Sequence, residues 1–174
     1  MKKRTRAREL TLQFLYQLDL RGDELFAEVN AYLRSEERDG ETLRFAMRLI
    51  EGVWENWEEI EHTIQAVAQN WNIARMAVID RNVLRLATYE LLHCPDIPPK
   101  VAINEAIELG KRFSTSNSGA FINGILDKIM NRKPAAKPGA AAERDELAAC
   151  VAPQPEGDAE VAPESDERPS AQSG

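Results

Sequence analysis

Between Ala7 and Leu18 the side chains Ala7, Leu10, Thr11, Phe14, Leu15 and Leu18 recur at i, i+3, i+4 and i+7, the spacing of one helix face, and Gly22 supplies a stop. The same period returns at Leu43, Ala46, Met47, Ile50, Val53 and Trp54. Asn56, with Glu59 three residues on, reads as a capping box opening a shorter helix that holds Trp57, Ile60, Ile64, Val67 and Ala68. A polar turn follows at Asn70 to Asn72. The next helix, from about Met76 to His93, turns Ile79, Val83, Leu86, Ala87 and Leu91 inward and ends at Pro95. Pro98 and Pro99 suit the first turn of a helix from about Lys100 to Phe113, which buries Ala102, Ile103, Ala106, Leu109 and Gly110. After the STSNSG loop, a last helix runs from about Ser118 to Met130 with Phe121, Ile122, Ile125, Leu126 and Ile129. No ordered segment alternates with strand period. The pattern predicts an all-α fold, an antiparallel bundle of six or seven helices in two packed halves.

Composition divides the 174 residues into a helical domain, 1–133, and a tail, 134–174, rich in Ala, Pro, Glu and Asp, whose start lies beyond the last aromatic residue, Phe121. So few large apolar groups cannot offset a backbone ordering cost of roughly 1–2 kcal/mol per residue, so the tail is expected to be disordered. The tail also carries most of the formal charge of −7, because Lys137, Arg144 and Arg168 face nine acids there. The domain, with 19 basic and 20 acidic groups, is nearly neutral but polarised: a basic start, then an acid-rich stretch from Glu36 to Glu61. Glu9, Gln13, Gln17 and Asp19 interrupt the apolar run that a secretory signal needs, and no segment approaches a membrane span, so a cytoplasmic protein is expected. Cys94 and Cys150 show no metal or disulfide spacing.

Converging reactive groups are missing from the sequence. His62 and His93 have no second ligand at metal spacing, and Glu105 and Glu108, three apart on one helix, are explained more simply by helix charge and salt bridging than by acid/base work. No enzymatic role and no cofactor are expected. The basic start is the candidate chemistry. Lys2, Lys3, Arg4, Arg6 and Arg8 precede any acid, and arginine forks beside free backbone N–H groups at a helix start suit phosphate. Arg6, Glu9, Gln13 and Tyr16 form a strip opposite the Leu/Phe face, and an aromatic on a polar strip marks a contact surface. The plain alternative is a solvated terminus with Tyr16 packed under a neighbouring helix.

Three stretches, ARELTLQFLYQ, DRNVLRLATYEL and IPPKVAINEAIELGKRFSTSNSGAFINGILDKI, resemble the signature segments of the NusB family of transcription antitermination factors, in order and correctly spaced over about residues 4–131. Between Asp23 and Asn70 only length and pattern agree. The resemblance implies the NusB fold. It also implies a non-enzymatic role, binding the boxA element of nascent ribosomal RNA as single-stranded RNA together with NusE, a small-subunit ribosomal protein. Through other Nus factors the pair would help RNA polymerase resist termination.

By the same resemblance Arg4, Arg6 and Arg8 match the family's arginine-rich start, split here by Thr5, which meets RNA. Phe121 matches an aromatic that meets a base, and Asn117 and Ser118 match the loop before it, where many relatives carry an acid in place of Asn117. Tyr16 and Asp80 match positions facing NusE, while Glu90, Asn104 and Glu105 match internal polar supports. Cationic groups along a backbone with aromatic faces for unstacked bases are what single-stranded RNA requires. A rival reading is a helical protein–protein module or homodimer without RNA contact of its own. NusB-like domains fused to RNA cytosine methyltransferases continue into a large α/β domain, whereas this chain continues into the acidic tail.

Overall fold

The computed structural model describes residues 2–132; the tail expected at 134–174 lies outside the described residues. Seven α-helices carry the domain: α1 Lys2–Arg21, α2 Val29–Glu36, α3 Gly40–Glu55, α4 Trp57–Val67, α5 Val78–His93, α6 Pro99–Phe113 and α7 Ser118–Asn131. Two short 3-10 turns, Asp23–Glu28 and Ile73–Arg75, link α1 to α2 and α4 to α5.

Helix α5 is the axis, packing on α1, α3, α4, α6 and α7, so that one half (α1 to α3) and the other (α4, α6, α7) close around it. That position explains its sequence, in which every residue from Asn82 to Glu90 is buried, the polar ones included. Where α3 crosses α5 the helices touch through Gly52, since a Cβ there would overlap the Tyr89 ring. The core is otherwise the apolar stripe of each helix, with Leu10, Phe14, Leu49, Ile50, Leu84, Ile122 and Leu126 fully enclosed.

Several boundaries differ from expectation, each for a local reason. Helix α2 and the turn before it have too short a period to stand out, yet Leu25, Val29 and Leu33 anchor them. Asn56 does not cap α4 through its side chain. It is the only residue between α3 and α4, its φ of −111° and ψ of 22° depart from the extended backbone a cap needs, and its Nδ2 donates instead to Gly52 O at 2.8 Å, closing α3. Helix α5 starts at Val78 rather than Met76, because Asn72 Oδ1 accepts from Ala74 N at 2.9 Å and winds a separate turn before an extended Met76. Asp39 caps α3, accepting from Thr42 N at 2.9 Å; that bond, with help from Lys3, holds its carboxyl at about 2. Gly22 ends α1 at φ 94°.

Candidate nucleic-acid interface

Because α1 is helical from Lys2, its cations fan around the helix instead of standing together. Arg8 points inward. At 3% exposure its Nε donates to Glu90 Oε1 at 2.7 Å and its Nη2 to Oε2 at 3.1 Å, and Glu105 lies 3.8 Å from Nη1. Burial pushes the Glu90 carboxyl up and Arg8 opposes that rise. The phosphate contact expected of Arg8 is therefore corrected: its fork is spent inside the protein, joining α1 to α5. Glu90 and Glu105 are internal supports as expected, but Asn104 is exposed and is not.

Arg6 is half-buried and shared among neighbours, with Nη1 3.4 Å from Glu9, Nε 3.6 Å from Glu37 and Nη2 donating to Glu36 O at 3.4 Å. Glu9 is itself only 7% exposed and also pairs with Arg112, so the strip from Arg6 to Tyr16 is covered at Glu9 and opens again at Tyr16. Lys3 bridges Asp39 and Glu41 at 3.0 Å each. The acid-rich stretch thus folds back onto the basic start, and the polarity expected from sequence is partly neutralised there.

Arg4 remains outward, with no carboxylate in ion-pair reach among the described residues and its guanidinium carbon 5.0 Å above the Phe45 ring. With Lys3, Glu41, Arg44 and Arg48 it lines a hollow of about 240 Å³ with Phe45 as its apolar wall. Arg48 is committed to Asp96 through bonds of 3.0 and 2.6 Å, whereas Arg44 is exposed and without such a partner among the described residues. Arg44 was not singled out in the sequence; its place one turn before Arg48 on α3 was the signal available.

The second expected patch sits at the start of α7. Asn117 is exposed at the N-cap position and makes no side-chain cap. Ser118 is corrected as an RNA contact: at 2% exposure its hydroxyl donates to Asp80 Oδ2 at 3.1 Å, clasping the first turns of α5 and α7. Asp80 is buried by the same clasp, yet its Oδ1 has no hydrogen-bond partner. Phe121 is half-buried and meets Trp71 edge to face, ring centres 5.6 Å apart. Tyr16, 39% exposed, walls an apolar groove of about 360 Å³ with Leu12, Tyr32, Ile79 and Phe113.

Arg4 and Phe121 do not share a pocket. Helix α5 meets Arg8 at Glu90 and Ser118 at Asp80, ten residues or about 15 Å apart along its axis. What joins the two ends is a row of which only Arg6 stood out in the sequence: Arg6 and Arg112 on Glu9, then Lys111, whose stem lies across Gly119 in the first turn of α7. A Cβ there would stand 3.1 Å from Lys111 Cε, so a larger residue would require the lysine stem to shift by a few tenths of an ångström.

The sequence pattern of the NusB family matches residues 5–131. The chain belongs to the NusB family. The Transcription antitermination protein NusB of Anaeromyxobacter dehalogenans is 46% identical over 138 residues, 79% of this chain and 96% of that one. Among solved structures, T. maritima NusB is 41% identical with a TM-score of 0.68, covering 83% of this chain and 97% of its own. A structure described as antitermination factors NusB and NusE in complex with dsRNA superposes with a TM-score of 0.65 at 29% identity, covering 75% and 97%. These matches carry the all-α NusB fold across the described helices, and the family is one of transcription antitermination factors.

Proposed function

We propose that this NusB family protein is a transcription antitermination factor that acts as an adaptor without catalysis, binding boxA-type RNA together with NusE in the cytoplasm. Through other Nus factors it would bias RNA polymerase against termination. The observation that carries the reading is the hollow between α1 and α3, where Arg4 and Arg44, without carboxylate partners among the described residues, stand beside Phe45. A crystal structure of relatives holding NusB, NusE and RNA together supports the choice of partners. Phosphates lie in the hollow, the row Arg6, Arg112 and Lys111 continues the cationic path, and Asn117 and Phe121 meet the strand at its far end.

NusE takes the apolar groove beside Tyr16. Tyr16 gives it an aromatic wall, whereas Asp80, its Oδ1 enclosed, holds the start of α5 to α7 instead of meeting the partner. The deciding experiment measures affinity for a boxA-like single strand across salt, with and without NusE. Arg4→Ala and Arg44→Ala should each reduce the slope of log K against log salt by roughly 0.7 and leave thermal stability unchanged. Unchanged slopes in both variants would remove the hollow from the RNA path.

A further inference from the structure

Trp71 is the most exposed large apolar side chain of the described domain, at 59%, yet its loop is tightly fixed. One side chain does the fixing: Gln65 Nε2 donates to Trp71 O at 2.8 Å and to Ala68 O at 3.3 Å, and Gln65 Oε1 accepts from Ile73 N at 3.2 Å. The indole is therefore presented to solvent from a braced backbone. Its ring stands at 72° to Phe121, so a loop and a helix contribute two aromatic faces to one corner.

The surroundings of that corner are polar. Gln65, Gln69, Asn70, Asn72 and Arg75 line an open hollow with Trp71. Gln69 also borders a second hollow lined by Asp127, Lys128, Asn131 and Arg132. Along this continuous surface three cations, Arg75, Lys128 and Arg132, face one acid, and none of the three has an ion-pair partner among the described residues. An apolar protein-docking patch would place more carbon around the indole. An aromatic face flanked by cations and amides matches an unstacked base with phosphates on either side.

We propose that Trp71 and Phe121 form a composite stacking platform, and that single-stranded RNA continues from it along Arg75, Gln69, Lys128 and Arg132. The inference rests on the RNA-binding reading above and extends its track beyond Phe121. One base stacks on the exposed indole face, the Phe121 edge fixes the indole plane, and the following phosphates meet the cations.

The test uses the full chain with NusE, a minimal boxA-like strand and the same strand lengthened by six nucleotides at either end, one of them carrying 4-thiouridine. Trp71→Ala should weaken binding of the longer strand by about 5- to 150-fold, the loss of one stacked base. Trp71→Phe should recover most of it. Lys128→Ala with Arg132→Ala should flatten the salt slope for the longer strand only. In the unaltered chain, the thiouridine should crosslink to the peptide that holds Trp71. Equal binding by the parent and Trp71→Ala, with no crosslink, overturns this inference alone. A parent that binds neither strand overturns the functional reading with it. Weakened NusE binding by Trp71→Ala without RNA would make the corner a protein contact and also overturn the proposal.

Discussion

Replacing Arg8 with Ala should unfold the protein far more readily and leave its RNA phosphate contacts untouched, the reverse of what a surface arginine would do. Both partners of the Arg8–Glu90 pair are nearly inaccessible, with side-chain exposures of 3% and 1%, and two hydrogen bonds join them. Removing one ion strands the other, which costs about 3–5 kcal/mol for a buried pair. The loss of Arg8 from its place 5.5 Å over the Phe45 ring adds a smaller term. For a folded unit of about 130 residues, an unfolding entropy near 2.1 cal/mol/K per residue converts that into a fall of roughly 10–18 °C in Tm.

The penalty should depend on pH in a definite direction. Burial already raises Glu90 above its ordinary 4.5 and Arg8 opposes it, so the variant carries a carboxyl raised further. A carboxyl raised by folding costs nothing while both states are protonated, below the unfolded value. The cost grows as pH climbs toward the folded value and is constant above it. Measured against the parent at each pH, Arg8→Ala should be destabilised least near pH 4.5 and most at neutral pH. Arg8→Met with Glu90→Leu, which removes both ions and retains volume, should recover most of the melting temperature. If Arg8→Ala melts within a few degrees of the parent while its RNA salt slope drops by about 0.7, Arg8 reaches phosphate and the reasoning fails.

Two further outcomes follow from charged groups elsewhere. Asp19 accepts from Arg81 at 2.6 and 2.9 Å, Arg85 at 2.8 Å and Asn82 at 3.0 Å; burial pushes its carboxyl up, but these donors prevail and hold it below 3.8. Asp19→Asn should therefore cost about 2–3 kcal/mol by denaturant titration above pH 5, with the difference from the parent shrinking as pH falls below 3.8. Asn117→Asp places a carboxylate at the start of α7, which should raise helix stability by about 0.3–1 kcal/mol and weaken RNA about 2–5-fold at low salt, the gap closing as salt rises. Tighter RNA binding by the Asp variant would take Asn117 off the RNA path.

The legible part of the fold was its long amphipathic helices. Stripes such as Leu10, Phe14 and Leu18, or Ile122, Ile125 and Ile129, must be covered, and helical period alone says which side is covered. The 3-10 turn and α2 escaped because eight residues with two buried anchors give too few repeats to fix a period. Asn56 misled because a residue shared by two helices can serve either end, and only the backbone angles decide. The clasp between Ser118 and Asp80 was illegible for a different reason. The two lie 38 residues apart, and a serine bonded to a carboxylate looks in sequence like any polar surface pair.

The basic start shows where charge reading stops and packing must take over. Arg4 and Arg8 are i and i+4, so they share one stripe of α1, and both lie over the Phe45 ring. Period gives a residue's direction around the helix but not how far along the helix its neighbours extend. At Arg8, α5 and α6 reach α1 with Glu90 and Glu105; one turn earlier, Arg4 has passed beyond that cover and opens to solvent. The better clue was on the partner helix: Glu90 is an acid in a run, LATYELL, where every neighbour from Leu86 to Tyr89 is buried, and an acid at such depth requires a cation beside it. Pairing buried acids first, and ranking the unpaired cations ahead of the surface-paired ones, moves the centre of the proposed interface from the arginine run to the junction of α1 with α3. There Arg4 and Arg44, drawn from segments forty residues apart, line one hollow with the Phe45 ring.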